Sequence, residues 1–291
     1  GLGDVYKRQG LTALLGSPVA HSISPLMHNE SFRLLGLDYV YLCFDVNEET
    51  LPAAVAGLKT CGIRGFNLTM PNKNKIVELL DDLSPEAQLI GAVNTVLNDN
   101  GKLIGYNTDG YGFMQSVRDA GHDITGKNIT VMGVGGASMA ICAQSALDGA
   151  ASVHIFARRT SRYWNRTQKF AENLSAKTGC QVCLFDNDDH TALRDSIAQS
   201  YLLINATSVG MVPDIDDTII KDTSLFHPEL VVADVVYEPQ ETRLLREAKA
   251  AGCQTFNGMY MLLHQGAKAF QIWTGQEMPV SVIKEKYFSV K

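Results

Sequence analysis

Short apolar runs alternate with longer mixed stretches along most of this chain, a rhythm that predicts strands separated by helices. Leu11–Leu15, Tyr39–Val46 and Ile63–Thr69 read as strands. Between them a helix opens with Ser24 as N-cap and Pro25 at its first position and closes at Gly36, and another lies near Glu48–Lys59. Asn72–Leu80 reads as helical again, Ser84-Pro85-Glu86 starts a shorter helix, and Val93–Leu97 and Leu103–Tyr106 form a hairpin around Asp99-Asn100-Gly101. From Gly110 a helix leads into a second alternating series. Its strands are expected near Ile129–Met132, Val153–Phe156, Val182–Phe185, Leu202–Ala206, Val231–Val235 and Gln254–Phe256, as a doubly wound parallel sheet requires. The last long segment, Tyr260–Trp273, is an apolar helix ending at Gly275 and is placed back on the first half.

The most specific local signal is Gly133-Val-Gly135-Gly136-Ala137-Ser138, where an apolar strand runs directly into a glycine turn and a helix over Ala137–Leu147. A helix N-terminus leaves backbone N–H groups unpaired and aims a positive dipole end outward, which suits a pyrophosphate. Gly133 allows the tight turn, Gly135 lets the backbone approach phosphates, and Ser138 is small enough for helix–strand packing. With Val153–Phe156 the β-α-β unit is complete, so the turn reads as a dinucleotide site and not as a bare loop.

Composition narrows the class of protein. With 291 residues, 45% apolar and 19% charged, the chain is that of an ordinary globular protein, long enough for two domains. A formal charge of −6 without a long basic run argues against nucleic acid as partner. No apolar stretch reaches the ~18 residues of a membrane span, and no metal site is expected. The six cysteines fall in apolar segments and read as buried thiols in a reducing, cytoplasmic compartment; Cys180 and Cys183 lie in a strand with no second Cys or His pair to complete a zinc site. Residues 1–9 fit no element and are left out of the fold reading, and no secretory signal is expected.

Three segments of the first half carry polar groups where a core would not want them. His21-Ser22-Ile23-Ser24-Pro25 puts two hydroxyls on alternate positions at a helix entrance. Asn67, Thr69 and Lys73 gather at the end of a strand, and Asp109 stands at the next crossing with Asn94 shortly before it. Each has an ordinary alternative: Ser24 caps its helix, Lys73 is a solvated lysine, Asp109 caps the helix that follows.

Taken together, these segments resemble the shikimate dehydrogenase family, including its quinate/shikimate branch, from Gly10 to about Pro279. The motifs that carry the resemblance are His21-Ser-Ile-Ser-Pro25, Asn67-Leu-Thr-Met-Pro-Asn-Lys73, Gly91-Ala-Val-Asn94-Thr, Gly105-Tyr-Asn-Thr-Asp-Gly110, Gly133-Val-Gly-Gly-Ala-Ser138, Asn205-Ala-Thr-Ser-Val-Gly-Met211 and Met261-Leu-Leu-His-Gln265. The family implies a substrate domain over 10–109 plus 258–291, with the C-terminal helices returning to it, and a Rossmann-like dinucleotide-binding domain over 110–257. It implies reduction of the ketone of 3-dehydroshikimate by a nicotinamide hydride in aromatic amino acid biosynthesis. Ser22 and Ser24 would hold the substrate carboxylate, and Asn67, Thr69, Asn94, Asp109 and Gln265 its hydroxyls. Lys73 and Asp109 would form the catalytic pair, with Tyr237 near substrate and nicotinamide. Gly133, Gly135, Gly136, Ala137, Ser138, Ala157, Arg158, Arg159, Thr160, Thr207 and Gly258 would meet the cofactor.

Hydride addition puts negative charge on the former carbonyl oxygen, which an ammonium beside it stabilises and can protonate. Past the second strand of the dinucleotide unit comes Ala157-Arg158-Arg159-Thr160-Ser161-Arg162, with arginines where NAD-binding folds place an acid, so NADP is favoured. The family's NADP pattern has Asn where Ala157 stands, which keeps NAD open. The alternatives are an NAD-dependent quinate/shikimate dehydrogenase, towards which Met70-Pro71-Asn72-Lys73 leans, and a non-catalytic sensor of shikimate-like acids. The partner is a small molecule, the oligomer a monomer or homodimer, and glycines beside Asp109 and Asn257 are the expected hinges of domain closure.

Overall fold

The computed structural model describes residues 9–289, and residues 1–8 of the segment set aside above lie outside them. The chain divides into two compact units, one of residues up to Thr108 with those from Leu263 onward, the other Asp109–Leu262.

Unit 1 is built on a six-stranded mixed sheet. Its elements run β1 (Gly10–Gly16), α1 (Ser24–Leu34), β2 (Tyr39–Asp45), α2 (Leu51–Thr60), β3 (Gly65–Leu68), a 3-10 turn (Lys75–Leu79), β4 (Asp82–Leu83), α3 (Pro85–Ile90), β5 (Thr95–Asp99) and β6 (Lys102–Tyr106). The strand order is β2-β1-β3-β5-β6-β4. The first three strands are parallel, and β5 and β6 are an antiparallel hairpin. Its turn carries two left-handed residues, Asn100 at φ 52° and Gly101 at φ 93°, the backbone that Asn-Gly adopts at least cost.

Three expectations need correction here. Ser24 is not the N-cap of α1 but its first helical residue, and Ile23 occupies the cap position without a side-chain bond. Ser22 takes over part of the capping role, its Oγ accepting from the Ser24 N–H at 3.2 Å. Asn72–Leu80 forms no α-helix, only a turn and a 3-10 segment, because the chain is drawn at once onto the sheet edge. The Asp81 N–H donates to Leu103 O at 2.9 Å, and the Leu103 N–H returns a bond to Asp81 Oδ2 at 2.7 Å. The cysteines also depart from a uniform reading: all six are free thiols, but Cys61 is exposed because it ends α2 in a surface turn, and Cys43 and Cys183 are only half-buried.

Unit 2 comprises α4 (Asp109–Asp119), β7 (Asn128–Met132), α5 (Gly136–Leu147), β8 (Ser152–Ala157), α6 (Trp164–Thr178), β9 (Gln181–Asp186), α7 (His190–Gln199), β10 (Leu202–Asn205), β11 (Val231–Asp234), α8 (Arg243–Ala250) and β12 (Gln254–Phe256). All six strands are parallel, in the order β12-β11-β10-β7-β8-β9. Every residue of β10 and β11 is buried, as expected of strands covered on both faces. Read from β9, the order is 3-2-1-4-5-6, and it reverses between β7 and β10, where ligands of such sheets bind.

The long helix α9 (Met259–Thr274) contains the division between the units, and α10 (Val280–Tyr287) follows it. Within unit 1, Trp273 Nε1 donates to Val96 O at 2.9 Å and the Arg64 guanidinium donates to Trp273 O at 2.8 Å, which fastens the end of α9 to the sheet. Beside Trp273 lies an aromatic stack in which His28 is parallel to Tyr41 at 4.5 Å between ring centres. His28 is fully buried, and neither ring nitrogen finds a hydrogen-bond partner among the described residues. Burial therefore pushes its pKa down to about 3 from the 6.5 it has in water.

A depressed folded pKa means that stability present above pH ~6.5 is lost as pH falls towards 3, because only the unfolded chain takes up the proton. His28→Phe keeps a ring in the stack and removes that proton site. The variant is expected to gain about 2 kcal/mol more, relative to wild type, at about pH 5 than at about pH 7.5. Thermal denaturation at the two pH values measures the difference, and equal gains at both would contradict the assignment.

Candidate active site

In unit 1, three of the amide side chains named from the sequence belong to one buried network. The end of β3 presents Asn67, which is 5% exposed, and its amide donates to Asn94 O at 3.1 Å and Thr95 Oγ1 at 3.0 Å. Asn94 Oδ1 accepts from the Thr108 N–H at 2.8 Å and from Thr95 Oγ1 at 3.0 Å. Asn94 Nδ2 donates to Thr108 Oγ1 at 2.9 Å and, more distantly, to Gln265 Oε1 at 3.4 Å. Thr108 Oγ1 donates to Gln265 O at 3.0 Å, so α9 is tied to the loop that precedes α4. Ser22 and Ser24 stand half-buried at the entrance of α1, and Thr69 half-buried just past β3.

Sequence reasoning missed Tyr41, whose hydroxyl donates to Asn67 Oδ1 at 2.8 Å, and undervalued Thr95 and Thr108 as fillers of their motifs. Tyr41 sits in an apolar strand where any aromatic reads as core, so no local pattern marks it. Lys73 follows the 0%-exposed Asn72 and is itself half-buried; its carbonyl accepts from the Val93 N–H at 2.8 Å. Asp109, in unit 2, is the first residue of α4.

The glycine turn of unit 2 carries the other group. Gly133 has φ 107°, and a Cβ there would stand 2.8 Å from Thr207 Cγ2 and 3.1 Å from Ala206 O. Gly135 and Gly136 have no such constraint: a Cβ on either meets nothing within 4 Å, and Gly135, at φ −78° and ψ 179°, lies in extended backbone open to any residue. Protein packing therefore gives no reason for glycine at 135 and 136, whereas close approach of a ligand to the start of α5 does. Ala137 is half-buried, and Ser138, fully buried, donates to Gly133 O at 2.6 Å and ties the helix to the turn.

Beside the turn, a cavity of about 360 Å³ is lined by Thr207, Ser208, Met211, Val236, Tyr237 and Glu238, among others. Its walls are the loops leaving β10 and β11, held by Asp234. That carboxylate, 0% exposed, accepts from Asn205 Nδ2 at 3.0 Å, Thr242 Oγ1 at 2.8 Å and the Val236 N–H at 2.9 Å. Burial outweighs these donors and pushes its pKa up to about 6. Asn205 Oδ1 in turn accepts from the Thr207 N–H and hydroxyl at 3.0 and 2.6 Å, so the carboxylate positions Thr207 through one amide.

Ala157 ends β8 and is buried; Arg158, Arg159 and Thr160 are exposed beyond it. Arg159 lies over the Trp164 ring at 4.8 Å and Arg162 over the Tyr163 ring at 4.7 Å. Gly258 has a packing reason of its own, since a Cβ there would stand 2.1 Å from Val235 O. Among the described residues no group of His, Cys, Asp and Glu could hold a metal ion, and no helix is long and apolar enough to cross a membrane.

This strand order with a ligand-open glycine turn at its reversal defines a doubly wound, Rossmann-type α/β protein. The chain belongs to the shikimate dehydrogenase family. The family's substrate binding domain matches residues 14–96 and its C-terminal domain residues 258–286. The shikimate dehydrogenase (NADP(+)) of Listeria innocua is 51% identical over 278 residues, 96% of this chain and 95% of that protein. Among solved structures, the shikimate 5-dehydrogenase of Listeria monocytogenes, in complex with shikimate and NAD, superposes with a TM-score of 0.93 at 50% identity, covering 95% of this chain and 96% of that one. A quinate dehydrogenase from Corynebacterium glutamicum in complex with NAD superposes with a TM-score of 0.85 at 31% identity, covering 97% and 99%.

The two kinds of glycine separate in their effect on stability. Gly133→Ala is expected to lower Tm by several degrees through backbone strain and the Thr207 clash, while Gly135→Ala leaves Tm within about 1 °C of wild type or slightly above it. Calorimetry of the two variants checks this; equal losses would mean that position 135 is also set by packing.

Proposed function

We propose that the protein is a shikimate dehydrogenase that reversibly reduces 3-dehydroshikimate to shikimate with NADP, a step of aromatic amino acid biosynthesis. The observation that carries the reading is the buried amide network of Asn67, Asn94 and Gln265, in a chain that matches proteins of that name along 96% of its length. A polyhydroxylated ring acid needs several fixed donors and acceptors in one place, and this network provides them.

Ser22 and Ser24 take the substrate carboxylate, and Asn67, Thr69, Asn94, Asp109 and Gln265 its hydroxyls. Unit 2 binds the cofactor, with the pyrophosphate at the start of α5 on Gly135, Gly136, Ala137 and Ser138. Gly133, Thr207 and Gly258 shape the inner part of that site, and Tyr237 stands in the cavity beside it. The nicotinamide supplies or accepts the hydride. Lys73 donates the proton to the carbonyl oxygen during reduction and removes it from the hydroxyl during oxidation, and its ammonium offsets the negative charge that develops there. Asp109 is the second member of the proposed catalytic pair. Arg158, Arg159 and Thr160, after Ala157, receive the adenosine end, where arginine suits a 2′-phosphate. The substrate is a small molecule. Cysteines that form no disulfide fit a reducing, cytoplasmic location, and the protein acts as a monomer or homodimer.

One observation favours a second reading. Position 157 is alanine, and relatives include both an NADP(+) enzyme and structures holding NAD, one of them a quinate dehydrogenase. Initial rates of nicotinamide reduction, with shikimate and quinate crossed against NADP⁺ and NAD⁺, decide between them. Shikimate with NADP⁺ is expected to dominate; comparable turnover of quinate with NAD⁺ would establish the dual enzyme instead, and no turnover of any pair would leave a binding protein. Lys73→Ala is expected to lower kcat by about 10²–10⁴-fold while the fold stays intact. Gly135→Ala is expected to raise the KM for NADP⁺ about tenfold or more and leave that for shikimate unchanged, because it crowds the phosphate approach alone.

A further inference from the structure

We propose that Tyr41 is a positioning residue of the substrate site, and that its buried hydroxyl fixes the Asn67 amide for the ligand. The inference rests on the functional reading above.

Tyr41 lies on β2 and Asn67 on β3, with β1 between them. The parallel registers set Tyr41 beside Thr12, Thr12 beside Gly65, and Asn67 beside Leu14. Thr12, beside Tyr41 on β1, is short enough for the Tyr41 ring to lie across that strand and reach Asn67, while the Trp273 indole fills the space over Gly65. The hydroxyl donates to Asn67 Oδ1 at 2.8 Å. Asn67 already uses its amide N–H groups on Asn94 O and Thr95 Oγ1. Towards a ligand it acts as an acceptor, through Oδ1, and Tyr41 sets the tilt of that oxygen.

The ring cannot drift. It is 1% exposed, stacked on His28 at 4.5 Å and 10°, and tilted against Trp273 at 6.0 Å. His28 is itself wedged against Phe270 and Trp273, at 6.1 and 5.2 Å. The orphaned imidazole nitrogens of His28 have no polar role that would explain its place, whereas a flat ring behind Tyr41 explains it. Tyr41 is on β2 and Asn67 on β3, so the hydroxyl joins two strands that no main-chain ladder connects directly.

Tyr41→Phe keeps the stack and removes one oxygen. The expected result is a KM for shikimate raised about five- to tenfold, the equivalent of one hydrogen bond, with kcat within about twofold and the KM for NADP⁺ unchanged. Asn67→Ala raises the shikimate KM as well, and adding Tyr41→Phe to it is expected to raise it little further, because the two act through one interaction. Thermal stabilisation by shikimate alone gives a second readout without turnover, and it is expected to shrink in Tyr41→Phe. A folded Tyr41→Phe protein with wild-type KM and wild-type stabilisation by shikimate overturns the proposal. So does a KM increase that is equal for both substrates, or one fully additive with Asn67→Ala. A wild type that neither binds nor oxidises shikimate overturns the functional reading first, and this one with it.

Discussion

Polar side chains buried in unit 1 must satisfy one another, and that requirement shapes the candidate site. Asn67, Asn94, Thr95 and Thr108 are each at most 5% exposed, and a buried amide or hydroxyl without a partner costs about 1–3 kcal/mol. Their mutual bonds remove that penalty only if the ends of β3, β5 and β6 and the start of the Gln265 turn of α9 meet in one arrangement. Hydrogen bonding here specifies geometry more than it adds stability. In the proposed reading, the same bonds that hold the chain together also set which lone pairs are left for a ligand, so binding specificity and fold share one set of atoms.

Unit 2 follows the opposite rule at its ligand-binding end. Gly135 and Gly136 leave space that no protein atom fills, and the start of α5 has no side-chain cap. An uncapped helix N-terminus is a set of unmet donors held at the edge of a rigid parallel sheet, ready for an anion. Asp234 stabilises the neighbouring loop from behind, at the expense of burying a carboxylate with neutral partners only. Such a group is retained where the position of the loop matters more than its stability.

Much of this was legible in the chain because the signals were local. The strand, glycine turn and helix of Ile129–Leu147 follow from periodicity and glycine placement, and the Asn100-Gly101 hairpin from turn chemistry alone. Ser84 capped α3 as a cap-Pro-Glu pattern implies, its side chain accepting from Ala87 N–H. Legibility ended where a tertiary partner won over local preference. Ser24 has the composition of an N-cap, but it is already helical, and Ser22 two residues earlier accepts from its N–H. Asn72–Leu80 has helical composition, but the pull of Leu103 on Asp81 ends it after a single 3-10 turn. Tyr41 gave no signal at all, since its partner lies 26 residues away and two strands over. Gly258 illustrates the converse: a residue the family pattern assigns to the cofactor also has a sufficient reason in the approach of Val235 O.

In the proposed reading, where the loop after β8 receives the adenosine end, cofactor choice is graded instead of absolute. Exposed arginines lose much side-chain freedom when they grip a phosphate, and that loss weakens the grip. Arg159 already lies over Trp164, and Arg162 lies over Tyr163 and donates to its hydroxyl at 2.6 Å, so part of the ordering is done by the fold. A 2′-phosphate therefore gains from pre-ordered partners. A 2′-hydroxyl, in turn, meets no carboxylate among residues 157–162 that would favour it. The preference is set by attraction to one cofactor without repulsion of the other, and an interface built on attraction alone discriminates less than one that also carries a clash or an unpaired charge.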